Sequence, residues 1–239
     1  KMVFFAALIS LWFDTIMLKY GYCDRGDHSM TSIFVHGLGQ NSSSWEETIT
    51  FMGESNQMYH PDLFDLVKEQ ELTYQNLYAA FSEYIEKLLE PVNLVGLSLG
   101  AILALNYTID HPEKVQSLVL IAPQYKMPKL LLKVQNIVFR FIPKSSFQKL
   151  GSSKSDFIRL TESMMDLDFS QGLKKIGCYT LVVCGEKDKA NKRAAEQLAA
   201  QLPNAEIWIV KGAGHEVNTD APEKLASLLT IFLKETVKG

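Results

Sequence analysis

Cysteine is scarce in this 239-residue chain, with only Cys23, Cys178 and Cys184 at irregular spacing. An odd number without paired spacing supports neither a disulfide framework nor a zinc pattern, and it suits a reducing, cytoplasmic setting. Cys184 ends the apolar run Tyr179–Cys184, where a small buried thiol is ordinary packing. Charge of one sign is also lacking: 24 basic and 27 acidic residues leave a net charge of −3 and a pI near 6.0. Such a balance gives no reason to expect a nucleic-acid partner. Long hydrophobic runs are missing too. Val3–Phe13 is an apolar run ended by Asp14, well short of the roughly 20 residues a membrane-spanning helix needs. One lysine precedes that run, but Asp-Thr-Ile-Met-Leu-Lys-Tyr follows it in place of a small-x-small cleavage site. Tyr22 stands before Cys23, where a lipid-anchor motif would have a small residue. Residues 1–29 read as a leading extension or as a leading hairpin or helix, with Met30 two residues before the first strong strand. No internal repeat or low-complexity tract occurs.

From Met30 onward, short apolar runs alternate with helix-period segments, the pattern of a parallel sheet flanked by helices. Strands are expected at Ser32–His36, Gln57–His60, Val92–Leu97, Val115–Ala122, Tyr179–Cys184 and Glu206–Val210. A helix around Trp45–Met52 would take its cap from Ser42, Ser43 or Ser44. Between about Thr73 and Glu90, Leu77, Ala80, Phe81, Tyr84, Ile85, Leu88 and Leu89 share a helix face that Pro91 terminates. Leu99–Ile109 has almost no polar face and reads as an interior helix. Two further helices are expected at Lys192–Leu202 and around Leu225–Leu233. The fold class is α/β: a mostly parallel sheet of six to eight strands with helices on both faces. Residues 30–239 form one domain.

Pro123 to Gly177 separates two strands by far more than a plain loop requires. Leu130, Leu131, Val134, Ile137, Val138, Phe141 and Ile142 make a helical apolar stripe within it. Around the stripe lie Lys126, Lys129, Lys133, Arg140, Lys144, Lys149, Lys154 and Arg159. Residues 124–170 therefore read as a basic, amphipathic helical cap. An acidic substrate or a membrane surface would suit it, and a solvated helix face is the plainer account.

Three motifs carry chemistry. Gly96-Leu97-Ser98-Leu99-Gly100 lies where a buried strand turns into a buried helix, a turn that holds a serine hydroxyl clear of the sheet. Gly185-Glu186-Lys187-Asp188 and Gly212-Ala213-Gly214-His215 each follow a strand. Their side chains would project from the carboxyl edge of a parallel sheet, where open α/β folds place ligands. A serine hydroxyl is a poor nucleophile until a base takes its proton. His215 is that base if a carboxylate holds its other nitrogen in the right tautomer, the role of Asp188, with Glu186 the alternative acid. A fourth segment, His36-Gly37-Leu38-Gly39, would bring the Leu38 N–H beside the Leu99 N–H to stabilise a negative oxygen. His36 itself reads as a loop-shaping residue. Gly37, Trp45, Tyr125 and Met164 are candidate pocket residues, although aromatic and Met residues are also plain packing.

In type, order and spacing these pieces resemble the α/β-hydrolase family, from Met30 to about Lys234. The resemblance implies a carboxylic-ester hydrolase working through an acyl-enzyme, with a Ser98–His215–Asp188 triad and no metal or organic cofactor. The same triad serves thioesters, lactones, carbon–carbon bonds or acyl transfer, and a ligand receptor on this fold is the alternative from another class. The expected partner is a small-molecule ester, met by a monomer or homodimer. Any leading hairpin of the family would have to come from residues 1–29. After Asp62, where many relatives have a Gly-x-Gly turn, this chain has Leu63-Phe64-Asp65-Leu66.

Overall fold

The computed structural model describes residues 31–236 apart from 54–56, 89–90, 144, 146 and 148–152. The leading extension lies outside the described residues, as do Lys144 and Lys149 of the basic set. Along the chain run β1 (Ser32–Val35), α1 (Glu46–Met52), β2 (Met58–Tyr59), α2 (Tyr74–Glu86), β3 (Val92–Leu97), α3 (Leu99–Asp110) and β4 (Val115–Ile121). Then follow α4 (Lys129–Phe141), α5 (Lys154–Ser163), β5 (Tyr179–Gly185), α6 (Lys192–Gln201), β6 (Ala205–Val210), α7 (Val217–Asp220) and α8 (Pro222–Thr236). Among the described residues the sheet has six strands in the order β2-β1-β3-β4-β5-β6, all parallel.

Side-chain alternation along the strands divides the core into two layers. Ile33, Val35, Leu94, Leu118, Leu120 and Val182 pack on one face with α2, α3, α5 and α6. Phe34, Val95, Leu97, Val119, Ile121 and Val183 pack on the other with α1 and α8. Burial of β3 on both faces requires its one polar side chain to find partners. Asn93 donates to Ser32 Oγ (3.2 Å) and accepts from Ser117 Oγ (2.7 Å), so a polar thread crosses β1, β3 and β4.

The helix after β1 begins differently from the serine-capped expectation. Asn41 Oδ1 accepts from the Ser43 N–H (3.1 Å), and Ser42–Trp45 form a 3₁₀ turn leading into α1. Asparagine is among the best N-cap residues, so the cap falls one position before the serines.

The long segment after β4 carries α4 and α5, and its two ends are tied together. The Met127 N–H donates to Leu167 O (3.0 Å), the Phe169 N–H to Tyr125 O (2.8 Å), and Lys126 pairs with Asp168 (2.8 Å). Phe157 of α5 packs on Phe64 at 5.5 Å, and Phe64 meets the His36 ring at 5.5 Å.

Candidate active site

Ser98 occupies a sharp corner between β3 and α3, with φ 53° and ψ −108°. A non-glycine residue there costs about 1–3 kcal/mol and persists only where the surroundings enforce it. Here the Ser98 N–H is bonded to Ile121 O (2.9 Å), while its C=O accepts from the Ile102 N–H and joins the helix. The flanking glycines permit the crossing. A Cβ on Gly96 would lie 2.6 Å from the Ala101 N, and one on Gly100 would lie 2.6 Å from the Val35 carbonyl carbon.

Asp188 and His215 follow β5 and β6, whose last paired residues are Gly185 and Val210. His215 Nδ1 lies 2.7 Å from Asp188 Oδ2. The carboxylate is nearly enclosed while the imidazole is 42% exposed, so one end of the pair is anchored and the other is open to solvent. Burial opposes the charge on Asp188, but hydrogen bonds from the His215 ring and the Asn191 amide outweigh it and hold the carboxyl below its ordinary value. An ionised carboxylate accepts, so the shared proton sits on Nδ1.

Sequence reasoning missed Asn191. Its Nδ2 donates to both Asp188 oxygens (2.9 and 2.8 Å), its Oδ1 accepts from Gln124 Nε2 (2.7 Å), and its N–H donates to Asp188 Oδ1 (3.2 Å). Nδ2 also lies 3.1 Å from His215 Nδ1; both are donors there, and the carboxylate between them is their common acceptor. Glu186, the alternative acid, turns elsewhere and accepts from the Gly212 N–H (2.9 Å).

The loop after β1 lies against the serine corner, since a Cβ on Gly37 would be 3.5 Å from Ser98 Cβ. His36 is fully buried with both ring nitrogens engaged: Nε2 accepts from the Leu63 N–H (3.0 Å) and Nδ1 faces Gly37 O (2.9 Å). It shapes the loop. Past β2, Asp62 Oδ1 accepts from the Phe64 N–H (3.0 Å), and the chain turns through a 3₁₀ segment, Asp65–Val67. The Leu38 N–H meets no acceptor among the described residues, and the Leu99 N–H, first in α3, has no intrahelical acceptor. Gln40 and Asn218 were also missed. Gln40 Oε1 accepts from the Gly37 N–H, and Gln40 and Asn218 exchange hydrogen bonds at 3.1 and 3.3 Å. The loop after β1 is thereby pinned to the short helix that follows His215.

Ser98 Oγ has no hydrogen-bond partner among the described residues, His215 included. The candidate pocket residues divide. Trp45 is fully buried against Phe34 (5.3 Å), on the face of the sheet that carries α1 and α8, so it is core and not pocket lining. Met164 is likewise buried in the opposite layer, and Tyr125 is half-buried against that layer. A cleft of about 700 Å³ between Phe64–Leu72 and the start of α5 contains none of Ser98, Asp188 and His215. Among the described residues no cluster of three His, Cys, Asp or Glu is placed to hold a metal ion.

Comparison with known proteins bears on the same architecture. The chain is 20% identical over 240 residues to (E)-2-((N-methylformamido)methylene)succinate hydrolase of Acinetobacter baylyi, covering 85% of this chain and 90% of that one. It is 21% identical over 274 residues to the monoacylglycerol lipase ABHD6 of Homo sapiens, covering 90% and 78%. A solved structure of a thermophilic esterase from Thermogutta terrifontis superposes with a TM-score of 0.70 at 16% identity, covering 87% and 90%. The model of the alpha/beta hydrolase family matches residues 33–228. With most of its length inside that match and the parallel sheet it implies, the chain belongs to the alpha/beta hydrolase family.

Proposed function

We propose that this hydrolase cleaves carboxylic esters through an acyl-enzyme on Ser98, with His215 as base and Asp188 as the group that orients it. The observation carrying the reading is the 2.7 Å contact between His215 Nδ1 and Asp188 Oδ2. In the neutral ring this puts the proton on Nδ1 and the lone pair on Nε2, at the sheet edge from which Ser98 also projects. His215 Nε2 takes the Oγ proton as Oγ bonds to the carbonyl carbon. The resulting oxyanion is held by the N–H groups of Leu38 and Leu99, the latter at a helix N-terminus where partial positive charge collects. Collapse expels the alcohol, which leaves with the proton from His215. Water, deprotonated by the same nitrogen, then attacks the acyl-enzyme and releases the acid and free Ser98.

Residues 124–170 act as the cap over this edge in the same reading. Supporting that placement, the Phe157–Phe64–His36 ring contacts join α5 to the loop beside Ser98. The relatives include enzymes named as a hydrolase, a lipase and an esterase, which supports an acyl substrate. The test is a chain-length series of p-nitrophenyl esters with fluorophosphonate labelling. Ser98→Ala is expected to abolish labelling and lower kcat by at least about 10³-fold. Full turnover by that variant would refute the assignment.

A further inference from the structure

Helix α4 buries the wrong face for a helix that hides its apolar residues. Leu130 is 77% exposed, Val134 49%, Ile137 55%, Val138 51% and Phe141 83%. Four of these recur at i, i+4, i+7 and i+11, forming a ridge about 16 Å long along one side of the helix. The opposite side is already packed. Leu132 and Asn136 are buried, Asn136 accepts from Thr161 of α5, and the Phe139 ring meets Phe147 at 5.6 Å and Phe157 at 6.2 Å. The helix cannot roll its ridge inward without breaking those contacts.

Charge distinguishes what covers the ridge. Lys129, Lys133 and Arg140 follow one flank at i, i+4 and i+11, and α4 contains no acid. Acids face this helix chiefly from the turn after α5, where Asp166 pairs with Lys129 at 2.6 Å. Residues 124–168 carry eight basic and four acidic side chains in a chain whose net charge is −3, and among the described residues of this segment Lys133, Arg140 and Lys154 pair with no acid. A two-fold contact through this ridge would set the cationic flanks of two copies close together. An anionic lipid surface is complementary to both features, taking the apolar ridge at the acyl boundary and the cations at the headgroups.

We infer that α4 is a membrane-docking helix: the Leu130–Val134–Ile137–Phe141 ridge and the Lys129–Lys133–Arg140 flank seat the protein on anionic bilayers. None of these residues belongs to the proposed catalytic machinery, so docking and hydrolysis of a soluble ester are separable.

The test is co-sedimentation of the full chain with vesicles of equal parts phosphatidylcholine and phosphatidylserine, and with phosphatidylcholine alone. Residues 1–29 are kept in every variant, so α4 is the sole difference. Wild type is expected to bind the mixed vesicles, more weakly as salt rises. Ile137→Ser with Phe141→Ser should weaken binding at least tenfold, with melting temperature and soluble-ester turnover unchanged. Lys133→Gln with Arg140→Gln should weaken it about fivefold per cation, on anionic vesicles only. Absence of wild-type binding, or equal binding by the serine variant, overturns the inference. So does a wild-type homodimer that the serine variant dissociates while vesicle binding persists, since the ridge would then join copies of the chain.

Discussion

A single methyl group at position 185 should separate the acid from the base. Gly185 ends β5, and a Cβ there would lie 2.7 Å from Ala213 O and 2.8 Å from the Gly214 carbonyl carbon, in the loop that carries His215. The Gly214 carbonyl oxygen is closer still, and carbon normally stays about 3.5 Å from such neighbours, so the two loops must part by more than about 0.8 Å. Both positions are held by backbone, with the Lys187 N–H bonded to Ala213 O (2.9 Å) and the Asp188 N–H to Gly185 O (3.1 Å). The displacement therefore passes directly to the 2.7 Å contact between His215 and Asp188. Misplacing a reacting group by about 1 Å costs on the order of 10²-fold in rate, and overpacking costs about 1–3 kcal/mol in stability. Gly185→Ala should lower kcat ten- to a hundredfold on a p-nitrophenyl ester, normalised to folded protein by its melting curve. Gly177→Ala is the control, because a Cβ there meets nothing within 4 Å, and it should leave kcat unchanged. A folded Gly185→Ala protein with kcat within threefold of wild type would refute the claim that this crossing sets the geometry of the pair.

Asn191→Ala removes the amide that donates to both Asp188 oxygens, a charge-assisted contact whose loss should cost about 1.5–3 kcal/mol in chemical denaturation. The carboxylate would then bear on His215 alone, so the acid limb of kcat/KM should move to higher pH; an unmoved limb would make Asn191 merely structural. Asp188→Asn should lower kcat by about 10⁴-fold by favouring the wrong imidazole tautomer. It also carries a stability signature: because the folded carboxyl titrates below its unfolded value, its contribution is complete above the unfolded value and is lost as pH falls through the folded one. The gap in melting temperature between wild type and Asp188→Asn should therefore narrow from pH 7 to pH 3, and a constant gap would contradict the direction of the shift.

The strands and the interior helix were legible because burial on both faces leaves a simple mark. Val92–Leu97, Val115–Ile121 and Tyr179–Gly185 are mostly apolar, broken only by Asn93, Gln116, Ser117 and Thr180, and ten of the twelve residues of α3 are buried, as its missing polar face requires. Ser98, Asp188 and His215 stand out in the sequence because each follows a strand within three residues of a glycine, and the structure brings Asp188 and His215 into contact. Local sequence said less where an element's neighbour decides. The apolar stripe of residues 130–142 predicts an amphipathic helix, but periodicity does not say which way the stripe faces. Asn136, Phe139 and Leu132 hold α4 by the other side. Trp45 has the size and aromatic character of a pocket wall, and its place against Phe34 follows from a helix packing that no local pattern encodes.

The polar groups that sequence reasoning missed share a physical reason. Gln40, Gln124, Asn191 and Asn218 are amides, side chains common on surfaces, and nothing in their spacing marks them. Their importance arises from joining loops that follow different strands. Gln124, just past β4, holds Asn191, which holds Asp188 past β5, which holds His215 past β6. Gln40, past β1, meets Asn218, three residues beyond that histidine. Both tethers therefore end on the segment carrying His215, the base of the proposed mechanism. An amide suits these joints because it donates and accepts at once without adding charge to an enclosed site. A carboxylate in place of Asn191 would set two negative groups against each other beside His215, and a lysine would compete with the imidazole for Asp188. In the proposed mechanism the alignment of this edge thus depends on neutral residues that become visible only when the edge of the sheet is assembled.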